Sequence, residues 1–155
     1  MKFKIIYISS EKNSNIETLV NNYTKKIKHL AEIDLLKIHN KNKSKKNKFN
    51  IDYESNLIIN QLSKNDINIL LDEKGDVYET IKFTKFIQKN FLYSSKKIVF
   101  IIGGAYGFNE QLNKIVEKKI SLSKLTFTHD MARLLLIEQI FRSLTMIKNI
   151  PYHNH

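Results

Sequence analysis

The sequence is short of several residue types, and each shortage excludes a class of protein. It contains no cysteine, which excludes a disulfide framework, a thiolate nucleophile and a cysteine-based metal site. No apolar run approaches the roughly 18 residues that a membrane-spanning helix needs. Residues 1–5 begin a strand-like pattern instead of a charged leader followed by an apolar core. We therefore expect a soluble cytoplasmic protein that has no membrane partner.

Acidic residues are also scarce relative to basic ones. The 155-residue chain has 26 Lys and Arg against 15 Asp and Glu, a formal net charge of +11 and a pI near 9.7. Such a surface attracts polyanions through phosphate contacts that salt weakens. Lysine, asparagine and isoleucine are abundant together, a pattern that AT-rich genomes also produce without selection for nucleic acid. The charge favours RNA or DNA as a partner but does not identify it.

Apolar residues are plentiful, and their spacing predicts alternating strands and helices. Hydrophobic residues make up 42% of the chain, enough for one globular domain over residues 1–155. The alternation predicts an α/β fold with a mostly parallel sheet, and the polar stretch at 40–48 is predicted to be an exposed loop. The predicted strands are 2–8, 33–38, 67–71 and 97–102, with brief extended pieces in 120–127; the predicted helices are one capped by Ser14 or Asn15, then 51–62, 78–91, a short one capped by Asn109, and 130–148.

Glycine is rare, and three of the four glycines lie within five residues. They form Gly103-Gly-Ala-Tyr-Gly107 at the end of the fourth predicted strand. The motif lacks the spacing of a dinucleotide fingerprint and the Lys-Ser/Thr of a P-loop. The fourth, Gly75, lies in a predicted turn after the third strand. Ligands of parallel sheets bind beyond the carboxyl ends of strands, so the two segments are candidates for one pocket, although glycine pairs also occur in plain turns.

Two charged residues stand out in the last predicted helix. Glu138 and Arg142 are four residues apart and share a helix face. Such a pair contributes only about 0.3–0.5 kcal/mol when it is exposed. Their neighbours, however, are largely leucine, isoleucine and phenylalanine, which favours an interface or a site. Arg133 is expected to add a second cation nearby.

Histidines are few and do not predict a metal site. His129 precedes the last helix, and His153 lies near the end of the sequence. A single histidine is more often structural or exposed than catalytic. Residues 153–155 read His-Asn-His, but no further ligands follow at a persuasive spacing, so we expect no metal.

Taken together, these residues resemble the RlmH family of the SPOUT superfamily, S-adenosylmethionine-dependent methyltransferases that act on N3 of a pseudouridine in 23S rRNA. The resemblance covers nearly the whole chain. It implies a SPOUT-type α/β knot, in which helices flank a mostly parallel sheet and the C-terminal segment forms a deep trefoil knot, an exception to the usual absence of knots. It rests on Leu71-Asp72 with Gly75, Gly103-Gly104 with Gly107, Ser121 to Phe127, His129, Arg133, Glu138-Gln139, Arg142 and Pro151-Tyr152-His153.

The resemblance implies that the knot binds S-adenosylmethionine, largely through backbone groups. Glycine permits close approach of the backbone, and leucine side chains can flank the adenine. The chain departs from the family pattern at Thr128, where a proline is usual, and at Phe141, where a tyrosine is usual. The implied cofactor-binding residues are Leu71, Gly103, Gly104, Leu122, Ser123, Lys124, Leu125, Thr126 and Phe127.

The implied reaction is methylation of a pseudouridine N3 in a hairpin loop of 23S rRNA, on the assembled ribosome and by a homodimer. N3 is weakly acidic and must lose its proton to attack well. The residue chemistry suggests His153 as base or proton relay, Tyr152 as a stacking or hydrogen-bonding platform and Arg142 for phosphate or developing negative charge. Glu138 would orient Arg142.

A second hypothesis is a ribosome- or RNA-binding protein that keeps the knotted fold but has lost catalysis. Retention of Gly103, Gly104, Arg142, Tyr152 and His153 favours the enzyme, because a binding-only protein has no evident need for all of them. A nicotinamide or flavin enzyme is disfavoured by the missing phosphate fingerprint.

Overall fold

The computed structural model describes residues 1–8, 14–40, 47–104, 106–116 and 118–153, and in these residues five helices flank a five-stranded sheet. Every pair of neighbouring strands is parallel, and the strand order is β2-β1-β4-β3-β5. The predicted α/β fold with a mostly parallel sheet is therefore confirmed. In chain order the elements are β1 (Lys2–Ile8), α1 (Ser14–Lys28), β2 (Glu32–Ile38), α2 (Asn47–Ile59), β3 (Ile67–Val77), α3 (Thr80–Tyr93), β4 (Ile98–Ile102), α4 (Glu110–Ile115), β5 (Lys119–Ser121) and α5 (His129–Ile147).

The helices cover both faces of the sheet. Helices α1, α3 and α5 pack on one face, and α2 and α4 pack on the other. Strand β4 shows why its sequence is continuously apolar: Phe100 faces the first layer, its neighbour Ile101 faces the second, and all five residues are buried. This confirms the prediction that both sides of β4 are covered.

All five predicted helices are present, and several of their first and last residues differ from the predicted ones. Asn109 caps α4 as predicted, because its Oδ1 accepts a 2.9 Å hydrogen bond from the amide of Leu112. Helix α5 matches its predicted extent to within one residue at each end. Helix α2 begins and ends earlier than the sequence pattern indicated. Most of the predicted loop at 40–48 lies outside the described residues.

Strand β3 differs most from its prediction. The sequence indicated that it ends at Leu71 in a turn, but it continues to Val77 and pairs with β5 again after a bulge. Gly75 makes this return possible, because a Cβ there would lie 2.7 Å from the backbone nitrogen of Ile120. The turn prediction was right locally, since Asp72 Oδ1 accepts a 2.9 Å hydrogen bond from the amide of Lys74.

Among the described helices, none is long and apolar enough to cross a bilayer. The knot that the family resemblance implies stays a prediction.

Candidate functional site

The glycine turn, residues 103–107, follows β4 at the carboxyl edge of the sheet, where the strands' carboxyl ends meet. Gly104 and Gly107 form an isolated antiparallel bridge, in which the amide of Gly107 donates to the carbonyl of Gly104 at 3.2 Å. Gly107 has a φ of +76°, which favours glycine. A Cβ on Gly103 would lie 2.9 Å from the ring of Phe108. This turn therefore depends on its glycines for both conformation and space.

Helix α2 braces the glycine turn from the second face of the sheet. A Cβ on Gly104 would lie only 2.5 Å from Oε2 of Glu54. Glu54 is buried, and its Oε1 accepts a 2.9 Å hydrogen bond from Asn40 Nδ2. Next to it, Ser55 Oγ accepts a 3.0 Å hydrogen bond from the amide of Asn109. Our sequence-based prediction omitted Glu54, although its spacing of four residues from the apolar Ile58 indicates the buried face of α2.

The loop of residues 122–127 lies beside the same edge, after β5. Within the described residues, no hydrogen bond joins its backbone to other backbone groups. Its serines hold it locally: Ser121 Oγ donates to the carbonyl of Ser123 at 2.7 Å, and Ser123 Oγ accepts from the amide of Leu125 at 3.0 Å. Leu125 and Phe127 are exposed, at 71% and 37%. The loop thus presents backbone groups that are not paired with other backbone groups, together with uncovered apolar side chains.

The structure brings the predicted cofactor-binding residues to one place. Strand register pairs Leu71 with Ile102, directly before Gly103, and with Ile120 of β5. Across the edge, Thr126 Oγ1 and Glu73 Oε2 are 3.4 Å apart, so the β3 bulge meets the 122–127 loop. The two predicted strand-end segments are therefore neighbours.

A second group of predicted residues forms the Arg142 cluster. Glu138 and Arg142 lie on α5, and Tyr152 and His153 lie in the segment that follows it. Glu138 Oε1 accepts from Arg142 Nη2 at 2.5 Å and from Arg142 Nε at 3.0 Å. It also accepts from the Tyr152 hydroxyl at 3.1 Å. Arg142 Nη1 is 3.1 Å from His153 Nδ1. The structure thus brings together all four residues that the sequence suggested for catalysis.

A reversal of the chain after α5 makes this cluster possible. Asn149 adopts a φ of 54°, a left-handed conformation that asparagine tolerates. The amide of Ile150 then donates to the carbonyl of Thr145 at 2.8 Å, which closes the helix end. As a result the following residues return along α5, and His153 reaches Arg142, 11 positions earlier.

Aromatic rings surround the cluster and shape its electrostatics. Phe141 packs edge-on against Tyr152 at 4.8 Å between centroids, and the Arg142 guanidinium lies 4.8 Å from the Tyr152 ring centroid. Because Tyr152 donates to Glu138, the Tyr23 hydroxyl donates to the Tyr152 oxygen at 3.3 Å. Burial, and then the hydrogen bond with Tyr23, raises the pKa of Tyr152. The hydrogen bond to Glu138 raises the pKa of Arg142, which stays cationic.

Helix α5 separates this cluster from the carboxyl edge. His129 begins α5 beside the 122–127 loop, whereas Ile147 at its other end lines a cavity of about 380 Å³ with Met1 at the amino edge. At about 1.5 Å per residue, Glu138 and Arg142 lie roughly 14–20 Å along the helix from its start. The cavity contains no residue of either predicted site.

Arg133 does not join Arg142, and the expectation of a second cation nearby was wrong. Nine residues of helix place the two about 14 Å apart. Arg133 is buried and donates instead to Glu17 Oε1 of α1 at 2.7 Å. Its guanidinium also lies 3.5 Å from Asp130 and stacks on the Tyr7 ring at 4.4 Å.

In the part of the chain that the structure describes, side chains of the types that bind metals are not grouped. Over the described ranges, no three His, Asp or Glu side chains form a cluster that could hold a metal ion. Residues 154–155 of the His-Asn-His segment lie outside those ranges.

Comparison with known proteins identifies a matching family model, two similar sequences and one similar solved structure. Residues 1–153 match the family model described as "Predicted SPOUT methyltransferase". The chain is 39% identical to proteins named ribosomal RNA large subunit methyltransferase H from Flavobacterium johnsoniae and Flavobacterium psychrophilum, and each alignment covers 99% of both chains. Its fold is similar to that of a probable methylase family protein from Haemophilus influenzae, with a TM-score of 0.57 and 11% identity over 99% of this chain and 70% of that chain.

Proposed function

Since the chain belongs to the SPOUT methyltransferase family, we propose that it methylates large-subunit ribosomal RNA with S-adenosylmethionine as methyl donor. The observation that carries this proposal is full-length similarity, at 39% identity, to proteins named for that activity. We further propose that residues 1–155 form one methyltransferase domain, that N3 of a 23S rRNA pseudouridine on the assembled ribosome is the target, and that the protein works in the cytoplasm, where ribosomes are.

The carboxyl edge fits S-adenosylmethionine chemically. Adenine has apolar faces and polar edges, which suit the exposed Leu125 and Phe127 and those backbone groups of residues 122–127 that have no backbone partner. Gly103 keeps the neighbouring backbone free of a side chain that Phe108 would exclude. When bound, S-adenosylmethionine supplies an electrophilic methyl group. Leu71, Gly103, Gly104 and residues 122–127 would hold it.

The reaction forms a bond between N3 and the methyl carbon, while the carbon–sulfur bond breaks and the N3 proton leaves. Negative charge develops on the base as that proton departs. The Arg142 guanidinium is the group best suited to stabilise this charge, because its pKa is raised and it has only donors. Glu138 is a positioning residue, because its Oε1 already accepts hydrogen bonds from both Arg142 and Tyr152.

In this arrangement His153 accepts a hydrogen bond at Nδ1 and can donate one from Nε2. Arg142 cannot accept a hydrogen bond, so the 3.1 Å contact makes His153 Nδ1 the acceptor. A neutral imidazole then carries its proton on Nε2. We therefore assign charge stabilisation to His153 and Arg142 together, and the departing proton to water.

The separation of the two sites along α5 supports the participation of a second copy of the chain. In one protomer Glu138 and Arg142 lie roughly 14–20 Å along α5 from its start, which follows the 122–127 loop. Methyl transfer needs reacting atoms about 3–3.5 Å apart. We propose a homodimer in which the Arg142 cluster of one protomer faces the cofactor of its partner.

Mass spectrometry of rRNA tests the proposed reaction. Ribosomes that lack the modification are incubated with the protein and isotope-labelled S-adenosylmethionine. We expect label on one pseudouridine of the large-subunit RNA. Absence of label there would overturn the proposed target, and absence of calorimetric binding of the cofactor would favour the RNA-binding protein without catalysis.

Complementation tests the shared site. A Leu125→Asp variant, altered at the carboxyl edge, and an Arg142→Gln variant are each expected to lose most of their activity as homodimers. Mixed dimers contain one intact combination of both sites, so activity should return when the two are mixed and refolded. If the mixture stays inactive although sedimentation shows mixed dimers, each protomer uses its own Arg142.

A further inference from the structure

A cluster of two lysines and two aromatic rings lies outside both proposed sites. Tyr78, Lys82, Phe86 and Lys118 form it, and we refer to it as the lysine–tyrosine platform. The ammonium of Lys82 lies 5.0 Å from the Tyr78 ring centroid. Lys118 lies 5.6 Å from that centroid and 5.0 Å from the Phe86 centroid. Lys118 Nζ also donates to the Tyr78 hydroxyl at 3.2 Å, and the two rings pack edge-on at 5.9 Å.

Among the residues that the structure describes, no carboxylate pairs with either cation of the platform. Within the described ranges, neither Lys82 nor Lys118 lies within ion-pair distance of an acidic side chain. The ring face attracts each ammonium by about 0.5–1 kcal/mol at an exposed site. The ammonium groups nevertheless repel one another, since both approach the same ring. An anion placed against both would remove that repulsion.

The charge of the platform continues along α3. Lys82, Lys85 and Lys89 are all exposed and recur at spacings of three and four residues, so they share a helix face. No aspartate or glutamate occurs in α3. The helix therefore presents a row of positive charge that begins at the platform.

Tyr78 places one side of the platform next to the carboxyl edge at which we propose that the cofactor binds, and Lys118, which precedes β5, reaches Tyr78 through its side chain. Val77 pairs with Ser121 in the sheet register. Tyr78 follows the first of these residues and Leu122 follows the second, so the platform and the 122–127 loop leave neighbouring strand ends. Strand β5 is the outer strand of the sheet, and no strand on its far side covers this corner in the described residues.

We propose that the lysine–tyrosine platform and the lysine row of α3 bind consecutive phosphates of the RNA strand next to the target base. A rigid row of cations suits a polyanion with regularly spaced charges, and its place beside the 122–127 loop sets the register of the strand relative to the methyl donor. The inference rests on the proposed function, and it identifies the surface that holds the substrate.

Salt dependence of binding tests the platform directly. Lys82→Gln, Lys118→Gln and the double variant are compared with Lys64→Gln, an exposed lysine in the turn before β3. Binding of each protein to an rRNA hairpin carrying the target is measured over a salt series. Each lost phosphate contact should reduce the slope of log K against log salt by about 0.7–0.9. The double variant should lose about twice as much, and Lys64→Gln should match the wild type.

Two further measurements separate this inference from the proposed function. Calorimetric affinity for S-adenosylmethionine and the melting temperature should be unchanged in the platform variants. Salt slopes equal to that of Lys64→Gln would overturn the proposed role of the platform and leave the proposed methyltransferase activity untouched. Loss of cofactor affinity in the platform variants would also overturn that role. A wild-type protein that binds the hairpin but transfers no methyl group would instead contradict the proposed function alone.

Discussion

Two arginines on helix α5 have opposite surroundings. Arg133, in the helix's first half, is 1% exposed, and its partners are carboxylates from α1 and from the helix's first turn. Arg142, nine residues later, keeps a quarter of its side chain exposed and bonds to Glu138 on its own helix and to the returning tail. One cation is enclosed by several elements, whereas the other is held in place but remains accessible.

The contrast separates a structural charge from a chemical one. Enclosing Arg133 has a cost, because its Nε and Nη1 find no hydrogen-bond partner in the described residues. Its contacts with Glu17 and Tyr7 join α5 to α1 and β1. Arg142 has its orientation fixed by Glu138 while one side stays open. Position on the same helix therefore does not imply a shared role.

Removing Arg133 should give the largest effect, and it should be on stability. Arg133→Met leaves Glu17 and Asp130 without their cation, which we expect to lower the free energy of unfolding by about 3 kcal/mol, the low end for a broken buried pair because Glu17 is partly exposed. Urea denaturation measures this change. A decrease in the free energy of unfolding of less than about 1 kcal/mol would show that the contacts of Arg133 with α1 and β1 do not stabilise the fold.

Removing Arg142 should show the opposite pattern. Arg142→Gln keeps hydrogen-bonding capacity but loses the positive charge, so methyl transfer should slow by on the order of 10²-fold, as for loss of one charge-stabilising donor. The free energy of unfolding should change by no more than about 1 kcal/mol, because the pair with Glu138 is partly exposed. Single-turnover rates and urea denaturation on the same preparations provide both numbers. A stable variant with wild-type rates would remove Arg142 from the site.

Tyr152→Phe sharpens the comparison through pH. Its pKa is raised above the ordinary 10.0, mainly by burial. The stability that this residue contributes is therefore fully present below pH 10 and is lost only as pH rises through the higher folded-state pKa. Loss of its hydrogen bond to Glu138 should cost about 1 kcal/mol, equally at pH 6 and pH 9. A cost that changes across this range, measured by denaturation at several pH values, would contradict the assignment.

Thr128→Pro should have the smallest effect. Thr128 caps α5, but its contact with the amide of Met131 is long, at 3.4 Å. Its φ of −62° already suits proline. The loss of a weak cap and the gain from a stiffer chain are each about 0.5–1 kcal/mol and oppose one another. The melting temperature should barely move, and a large drop would mean that the hydroxyl has a further partner.

Local patterns in the sequence predicted the elements well. The apolar run of β4 and the cap at Asn109 are set by neighbouring residues, so they are readable without the fold. The β3 bulge was missed because it depends on contact between Gly75 and the backbone of Ile120, 45 positions along the chain. Whether a turn ends a strand or lies within it is decided by such pairing.

The sequence predicted which residues belong to the candidate site better than it predicted how they are arranged. Glu138 and Arg142 share a helix face, so their pairing follows from spacing alone. Arg133 appeared to belong with them because its partner Glu17 is 116 positions away and no local pattern indicates it. Glu54 was missed because its spacing from Ile58 indicates only the buried face of α2, whereas its contact with the distant Gly104 has no local signal.

The contact between Glu54 and Gly104 also restricts how this sequence can diverge. The carboxylate of Glu54 occupies the volume that any side chain at position 104 would need, and Asn40 holds it there. Replacement of Gly104 would therefore displace the Glu54 carboxylate and disturb its hydrogen bond with Asn40. A lineage that lost Glu54 first would meet no such displacement at Gly104, whereas the reverse order would first move a buried carboxylate away from Asn40.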